Sequence, residues 1–268
     1  MNLQLEQKHE KLINLLGRLD GAIVAYSGGI DSALLLKVAY EVLGRNVIGA
    51  TADSPSLPRS ELEEAKRIAG QIGVRHIIFN TKELESYDYL ANPNNRCYYC
   101  KKELYTRLKE LSNELGIKAI LNGTNLDDLG DYRPGLKAAV EFGIMSPLKD
   151  SGFTKQDIRD LANRLGLEIW DKPSSPCLSS RVPYTSPITL KKLSMIEDAE
   201  SCLKQLGIRE LRVRHFGDTA RIEVNEPGKK TVEDNFLLIK KRFSEIGFNN
   251  ILVSNFKSGA LNLKVLAN

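Results

Sequence analysis

The chain has 268 residues, 42% of them hydrophobic and 27% charged, and its 38 basic and 34 acidic side chains give a formal charge of +4. This composition is typical of a globular protein with one large or two smaller domains, and the slight basic surplus suits an anionic small molecule without demanding a nucleic acid. No apolar run approaches the roughly 20 residues that span a bilayer, and the N-terminal residues do not resemble a signal peptide. We therefore expect a cytoplasmic location and no membrane partner.

Predicted helices and strands alternate along residues 1–172, which we assign to a first domain. Strands are predicted at 21–26, 46–51, 75–80 and 118–122, helices at 6–19, 33–43, 59–72, 97–115 and 153–165, and a short strand or turn at 147–150. This alternation predicts an α/β fold with a doubly wound parallel sheet. Ligands of such sheets bind beyond the carboxyl ends of the strands, so the loops after the first, second and fourth strands are expected to form one site.

The pattern changes in residues 173–187, which are rich in proline and serine and contain Cys177. Proline excludes a helix or a central strand, so this segment is predicted to be an active-site loop and linker. The remaining residues, 188–268, predict a smaller C-terminal α+β domain with an antiparallel sheet, to which we assign substrate binding and oligomerisation. Its predicted helices are 190–206 and 231–246, and its predicted strands are 210–215, 219–224, 250–256 and 261–266.

The turn Ser-Gly-Gly-Ile-Asp-Ser, from Ser27 to Ser32, joins the first predicted strand to the following helix. Gly28 and Gly29 let the backbone approach a ligand closely, and the helix start offers unpaired N–H groups. The serine hydroxyls add donors, and Asp31 beside a phosphate is explained by a bound Mg²⁺ ion. The pattern differs from the two commonest nucleotide loops, and it predicts a phosphate site of another type.

Three of the four cysteines stand in contexts that suggest chemistry. Cys97 and Cys100 are spaced to point the same way at a helix start, and Cys177 lies in the proline-rich segment, whereas Cys202 is expected to be a small apolar helix residue. A redox pair or two unrelated buried thiols are alternatives for Cys97 and Cys100. A structural zinc site needs four ligands, which the sequence does not supply. Three cysteines suit an iron–sulfur cluster with one open iron.

The motifs resemble those of a known enzyme family. The Ser27–Ser32 turn is similar to the pyrophosphate loop (PP-loop) of the adenine nucleotide alpha-hydrolase superfamily, which implies a Rossmann-like fold and cleavage of ATP between its α and β phosphates. The wider set of motifs resembles the LarE family, the ATP-dependent sulfur transferases of nickel-pincer nucleotide cofactor synthesis for lactate racemase. Besides the turn, this set comprises Arg-Cys-Tyr-Tyr-Cys-Lys (96–101), Gly-Thr-Asn-Leu-Asp-Asp-Leu-Gly-Asp-Tyr-Arg-Pro-Gly (123–135), Trp-Asp-Lys-Pro-Ser-Ser-Pro-Cys-Leu-Ser-Ser-Arg (170–181), Arg-Val-Arg-His (212–215) and Ala-Arg-Ile-Glu (220–223). The resemblance extends over essentially the whole chain.

The resemblance implies that the turn, through Ser27, Gly28, Gly29, Asp31 and Ser32, binds the pyrophosphate of ATP. Asp53 and Asn125, at the ends of the second and fourth predicted strands, are expected near the nucleoside. Mg²⁺ is expected on Asp31 and on the acidic group of Asp127, Asp128 and Asp131, with Asp128 as the preferred ligand. Lys101 or Arg133 is expected to neutralise developing charge. A carboxylate of a pyridinium dicarboxylate mononucleotide would attack the α phosphorus, and sulfur would displace AMP.

The resemblance also implies two possible sulfur sources. In one type of family member a single loop cysteine gives up its sulfur and becomes dehydroalanine, and in the other three cysteines hold a [4Fe-4S] cluster. Cys97, Cys100 and Cys177 are similar to the cluster type, while Cys177 alone is the position that matches the sacrificial type. A sulfide donor and a homo-oligomer, either a trimer or a hexamer, are further implied partners.

Arg212 and Arg214 alternate along a predicted strand, so both side chains are expected on one face, where they suit the phosphate of the substrate. Ser180 and Arg181 are candidates to join them. Glu200 and Glu223 are expected to position these arginines or to bind a metal ion.

Other functions stay open at this point. A tRNA thiolation enzyme of the same superfamily would use similar motifs, but nucleic acid is an unlikely partner because the balance of charges shows no extended phosphate-backbone footprint. An amide-forming ligase such as an NAD synthetase leaves the cysteines unexplained, and a cluster or nickel carrier predicts no release of pyrophosphate.

Overall fold

The computed structural model of the protein describes residues 3–130 and 134–256. These residues divide into two compact units. The first unit comprises 3–54, 59–83, 97–130 and 134–175, and the second comprises 55–58, 84–96 and 176–256. The chain therefore passes from the first unit to the second inside the proline-rich segment, and the second unit also takes in two short stretches from the N-terminal half.

The regular elements of the described residues are, in chain order, α1 (Leu3–Leu16), β1 (Ala22–Ala25), α2 (Ile30–Leu43), β2 (Val47–Asp53), α3 (Arg59–Ile72), β3 (Arg75–Asn80), α4 (Tyr87–Leu90), α5 (Arg96–Leu115), β4 (Ala119–Leu121), α6 (Gly135–Glu141), α7 (Pro147–Asp150), α8 (Lys155–Arg164), α9 (Leu190–Gln205), β5 (Leu211–Phe216), β6 (Thr219–Val224), α10 (Glu226–Asp234), α11 (Phe236–Ile246) and β7 (Asn250–Asn255). Short 3-10 turns fill several connections, among them Leu126–Gly130 and Leu178–Arg181.

The first unit is built on a parallel sheet with the strand order β3-β2-β1-β4 among the described residues. Successive side chains of a strand point to opposite faces of the sheet, so β1 contributes to a hydrophobic core on each face. Ala22 and Val24 pack with helices α1, α2, α3 and α8, and Ile23 packs with α5 and α6 on the opposite face. The predicted α/β fold with a doubly wound sheet is confirmed.

The second unit carries a sheet with the order β5-β6-β7. β5 and β6 pair antiparallel, as predicted, but β6 and β7 pair parallel, so the prediction of a fully antiparallel sheet was wrong. The reason is the connection: α10 and α11 carry the chain back across the sheet before β7 begins, which is a β-α-β crossover. These two helices replace the single predicted helix at 231–246, and the chain bends between them at Asn235. The strand predicted at 261–266 lies outside the described residues.

Two smaller differences concern local structure. Residues 147–150 form a helical turn rather than a strand, because Ser146 precedes Pro147 at a position that suits the start of a helix. The short helices α4 and α6 were not predicted. Among the described residues, no helix combines the length and the apolar character needed to cross a bilayer.

Candidate functional site

The two serines of the turn between β1 and α2 fix its shape. The Ser32 hydroxyl accepts a hydrogen bond from the Ser27 N–H (3.1 Å) and donates to the Gly29 carbonyl (3.0 Å). The two hydroxyls also lie 3.1 Å apart. The turn is therefore held by its own polar side chains, and helix α2 begins within it at Ile30, three residues earlier than predicted.

Glycine is required at two positions around this turn. Gly28 has a φ of +76°, and a Cβ there would lie 2.9 Å from the Cβ of Ala65. Gly123 follows β4, and a Cβ there would lie 2.8 Å from the backbone nitrogen of Ser32. The strand-four loop thus packs backbone to backbone against the start of α2, which brings two of the three predicted loops together.

Asp31 is the centre of a polar cluster in the first unit. Its carboxylate accepts from the Lys155 ammonium at 2.6 and 2.7 Å and from the Asn125 side-chain amide at 3.2 Å. The Asp31 side chain is 28% exposed and that of Lys155 is 32% exposed, so both remain accessible to a ligand.

Lys155 was missed by sequence reasoning. It is the first residue of α8, directly after the capping residue Thr154, and its backbone N–H donates to Asp127 (2.7 Å). The sequence did contain a sign of this role. A lysine in the first turn of a helix is disfavoured by the helix dipole, which suggests that a negative partner holds it there.

The acidic loop after β4 is ordered around Asn125. The Asn125 N–H donates to Asp128 (3.0 Å), and its side-chain oxygen accepts from the Asp127 N–H (2.9 Å). Asp31 and Asp128 are thus joined through one buried asparagine. No group of three or more His, Cys, Asp or Glu side chains is arranged for a metal ion within the described ranges. A pair of carboxylates fits Mg²⁺, which keeps several waters and takes its other ligands from phosphates.

The remaining predicted ATP-site residues contact other side chains or fall outside the described residues. Asp53, at the end of β2, is paired with Arg59 at 2.5 Å, and Arg59 also donates to the Ser54 carbonyl (2.6 Å). Lys101 lies on α5, with its ammonium 6.0 Å from the centre of the Tyr105 ring. Asp131 and Arg133 fall in the gap between the described ranges.

A second polar cluster is buried in the second unit and contains all six residues predicted for the substrate phosphate. Arg181 forms a two-pronged pair with Glu200 (2.9 and 3.1 Å), and Arg214 pairs with Glu223 (2.5 Å). Arg214 also donates to the Ser180 carbonyl (3.2 Å). Arg181 reaches back to the Cys177 carbonyl (3.1 Å), to the Ser180 hydroxyl (3.1 Å) and to the Pro176 carbonyl. The arginines therefore hold the segment that carries Cys177.

Arg212 gives this second cluster a surplus of positive charge. Its guanidinium lies 4.7 Å from the centre of the Phe256 ring, and the residue is only 6% exposed. Burial, followed by the nearby Arg181 and Arg214, lowers the pKa of Arg212, while Glu223 and Glu200 act in the opposite direction. Three arginines face two glutamates, and an anion is the ligand that would balance them.

The cysteines are divided between the two units. Cys97 and Cys100 stand one turn apart at the start of α5 in the first unit, Cys97 exposed and Cys100 half-buried. Two thiols at this spacing share one side of the helix, which fits a pair of cluster ligands. Cys177 is half-buried and lies in the second unit. Cys202 packs against the core of the second unit, and burial raises the pKa of its thiol.

Comparison with known proteins finds relatives over nearly the full length of the chain, although no family model matches. An uncharacterized protein of Synechocystis sp. is 45% identical over 96% of the chain and 98% of its own length. The pyridinium-3,5-bisthiocarboxylic acid mononucleotide synthase of Lactiplantibacillus plantarum is 36% identical over 96% of the chain and 95% of its own length. A tRNA-specific 2-thiouridylase of Halothermothrix orenii is 30% identical, but over only 59% of the chain and 54% of its own length. A loop bounded by Ser27 and Ser32 after a parallel strand, together with similarity at this level over both units, shows that the chain belongs to the LarE family of PP-loop enzymes, which use ATP.

Proposed function

We propose that the protein is an ATP-dependent sulfur transferase that converts a carboxylate of a pyridinium dicarboxylate mononucleotide into a thiocarboxylate during nickel-pincer cofactor synthesis. The observation that carries this proposal is the extent of the similarity to the synthase of L. plantarum, which covers 95% of that protein and includes the second unit. The tRNA-modifying relative matches over 59% of the chain, which supports a shared ATP domain rather than a shared substrate.

ATP activation is assigned to the first unit. The Ser27–Ser32 turn and the N–H groups at the start of α2 bind the pyrophosphate, with the glycines allowing close approach. Asp31 and Asp128 hold Mg²⁺, which neutralises phosphate charge when bound. Lys155 exchanges its Asp31 partner for a phosphate oxygen and stabilises the charge that develops as the substrate carboxylate attacks the α phosphorus. Pyrophosphate leaves, and the acyl adenylate is ready for sulfur.

Recognition of the substrate phosphate is assigned to the second unit. Arg181 and Arg214 are already paired with glutamates, so they are rigidly placed donors. The two glutamates of the cluster pair with Arg181 and Arg214, so Arg212 adds a net positive charge to the cluster. Ser180 adds a hydroxyl beside Arg181. Glu200 and Glu223 orient the arginines, and Glu223 retains one buried carboxylate oxygen without a protein partner in the described structure, which suits a metal ion that accompanies the phosphate.

The sulfur source is proposed to be a [4Fe-4S] cluster on Cys97, Cys100 and Cys177, with the cysteine sulfur of Cys177 as the alternative. A bound cluster would supply a sulfide that can be replaced after each turnover. In the alternative, the Cys177 thiolate attacks the acyl carbonyl, AMP leaves, and loss of the Cα proton breaks the Cβ–S bond. The products are then the thiocarboxylate and a dehydroalanine at position 177.

An anaerobic assay with ATP, sulfide and the pyridinium dicarboxylate mononucleotide tests the proposal, with mass spectra recorded for both the small molecules and the protein. Repeated formation of pyrophosphate and thiocarboxylate by an iron-loaded protein is the expected result. Each of the variants Cys97→Ser, Cys100→Ser and Cys177→Ser should lose iron binding, and Cys202→Ser should retain it. A protein that never binds iron and loses the elements of H₂S from Cys177 would establish the sacrificial source instead. Thiolation of tRNA without any thiocarboxylate would contradict the proposed substrate.

A further inference from the structure

A hydrogen-bonded network in the second unit holds the segment that follows Cys177. At its centre is Asn92, which is completely buried and has a φ of 53°. The Asn92 side-chain amide donates to the carbonyls of Pro183 (2.7 Å) and Ser186 (2.9 Å) and, at 3.4 Å, to that of Val182. One side chain thus forms hydrogen bonds to three carbonyls of a segment that has little regular structure.

Arg96 extends this network toward Cys177. The same guanidinium nitrogen donates to the Asn92 side-chain oxygen (2.5 Å) and to the Ser179 carbonyl (2.9 Å), two residues after Cys177. The guanidinium also lies 5.7 Å from the centre of the Tyr184 ring. Arg96 is 3% exposed, so these bonds are made away from water, where each is worth most.

The segment is otherwise held by a small number of polar contacts. Arg181 donates to the Cys177 carbonyl, Arg214 donates to the Ser180 carbonyl, and the Ser179 hydroxyl lies 2.6 Å from that of Tyr89. Between Cys177 and Ile188 the regular structure is a single 3-10 turn. The backbone contributes bonds from Leu178 N–H to Ser56 (2.7 Å), from Thr185 N–H to Asn92 (3.0 Å) and from Ile188 N–H to Leu90 (2.9 Å). A segment held by a few long-range polar contacts opens locally when they are removed, while the sheets and helices around it stay folded.

We infer that Asn92 and Arg96 are positioning residues for the sulfur step: together they fix the conformation and exposure of Cys177. Arg96 also directly precedes Cys97 in the chain and is the first residue of α5. The catalytic role of the pair rests on the proposed function. Its role in holding the segment after Cys177 does not. Neither residue belongs to the ATP cluster, so activation of ATP should not depend on them.

The most informative variant is Asn92→Asp. Aspartate is nearly isosteric, tolerates a positive φ and keeps an acceptor for Arg96, but it replaces the amide donor by an oxygen that faces three carbonyls. Arg96→Lys is a second variant, which keeps the charge and loses the planar group. Tyr87→Phe is the matched control, because Tyr87 lies in the same stretch and is 83% exposed.

Three measurements on each variant decide the matter. The first is alkylation by iodoacetamide of protein freed of iron, followed by mass spectrometry at Cys177 and at Cys202. The second compares pyrophosphate release with thiocarboxylate formation under the assay conditions above. The third is the thermal unfolding midpoint. For Asn92→Asp and Arg96→Lys we expect about tenfold or greater acceleration at Cys177, an unchanged rate at Cys202, and a tenfold or greater loss of thiocarboxylate with pyrophosphate release retained.

The inference is overturned if Cys177 is alkylated at the wild-type rate, or if pyrophosphate release and thiocarboxylate formation fall together, since a general loss of structure would then be the cause. Equal acceleration at Cys177 and Cys202 would overturn it for the same reason. A wild-type protein that makes no thiocarboxylate would overturn the proposed function and the catalytic role with it. The alkylation rates would still decide whether the pair holds the segment.

Discussion

Replacing Lys155 by methionine separates the contribution of an ion pair to stability from its contribution to catalysis. The Lys155 ammonium lies 2.6 Å from Asp31, and about a third of each side chain is exposed. Solvent screens such a pair, so its loss should lower the free energy of unfolding by only about 0.5–1 kcal/mol. If Lys155 moves to a phosphate oxygen during reaction, its loss should slow pyrophosphate release by about 10²- to 10³-fold, in the range found for removal of a single donor to a developing negative charge.

The matched control is Lys8→Met. Lys8 also pairs with a carboxylate at 2.6 Å, that of Asp157, and Asp157 lies in the first turn of the same helix α8. Thermal unfolding should show similar small losses for both variants. A coupled assay for pyrophosphate, run over a range of ATP concentrations, should show slow release for Lys155→Met alone. Release by Lys155→Met within threefold of wild type, or equally slow release by Lys8→Met, would refute a catalytic role for Lys155.

Three further predictions address other parts of the molecule. Arg212→Gln should raise the KM for the mononucleotide by about 10- to 100-fold and leave that for ATP unchanged, because a charge-assisted bond to the phosphate is lost; equal changes in both constants would contradict the assigned site. Gly123→Ala places a Cβ 2.8 Å from the Ser32 nitrogen and should abolish ATP binding in calorimetry, whereas Gly70→Ala meets no atom within 4 Å and should stabilise α3 by up to about 1 kcal/mol without affecting binding. Burial, and then the nearby Lys192, lower the pKa of His215. Below about pH 6.5 the unfolded state therefore binds a proton that the folded state does not, and the free energy of unfolding falls as the pH is lowered. In thermal melts, lowering the pH from 7.5 to 5.5 should destabilise His215→Phe less than the wild type. An identical loss of stability would show that His215 does not contribute to the pH dependence.

Local patterns determined much of the fold. The limits of α3 and β3 were predicted to the residue, because their apolar periodicity and the glycine after the helix are encoded within a few positions. The Ser27–Ser32 turn is local in the same sense: its two serines bond to each other and to the backbone within five residues. The parallel pairing of β7 was not local, because it depends on where the helices before it return the chain.

Contacts between distant residues decided the candidate sites. The sequence by itself determined that Asp31, Arg212 and Arg214 are candidates for ATP and phosphate chemistry, because their residue types and spacing indicate that chemistry. Only the tertiary structure joined Asp31 to Lys155 across 124 positions, Arg181 to Glu200, and Arg96 to Ser179 across 83 positions. The physical reason is that hydrogen bonds and ion pairs depend on distances of about 3 Å, and folding alone sets these distances for residues far apart in the chain.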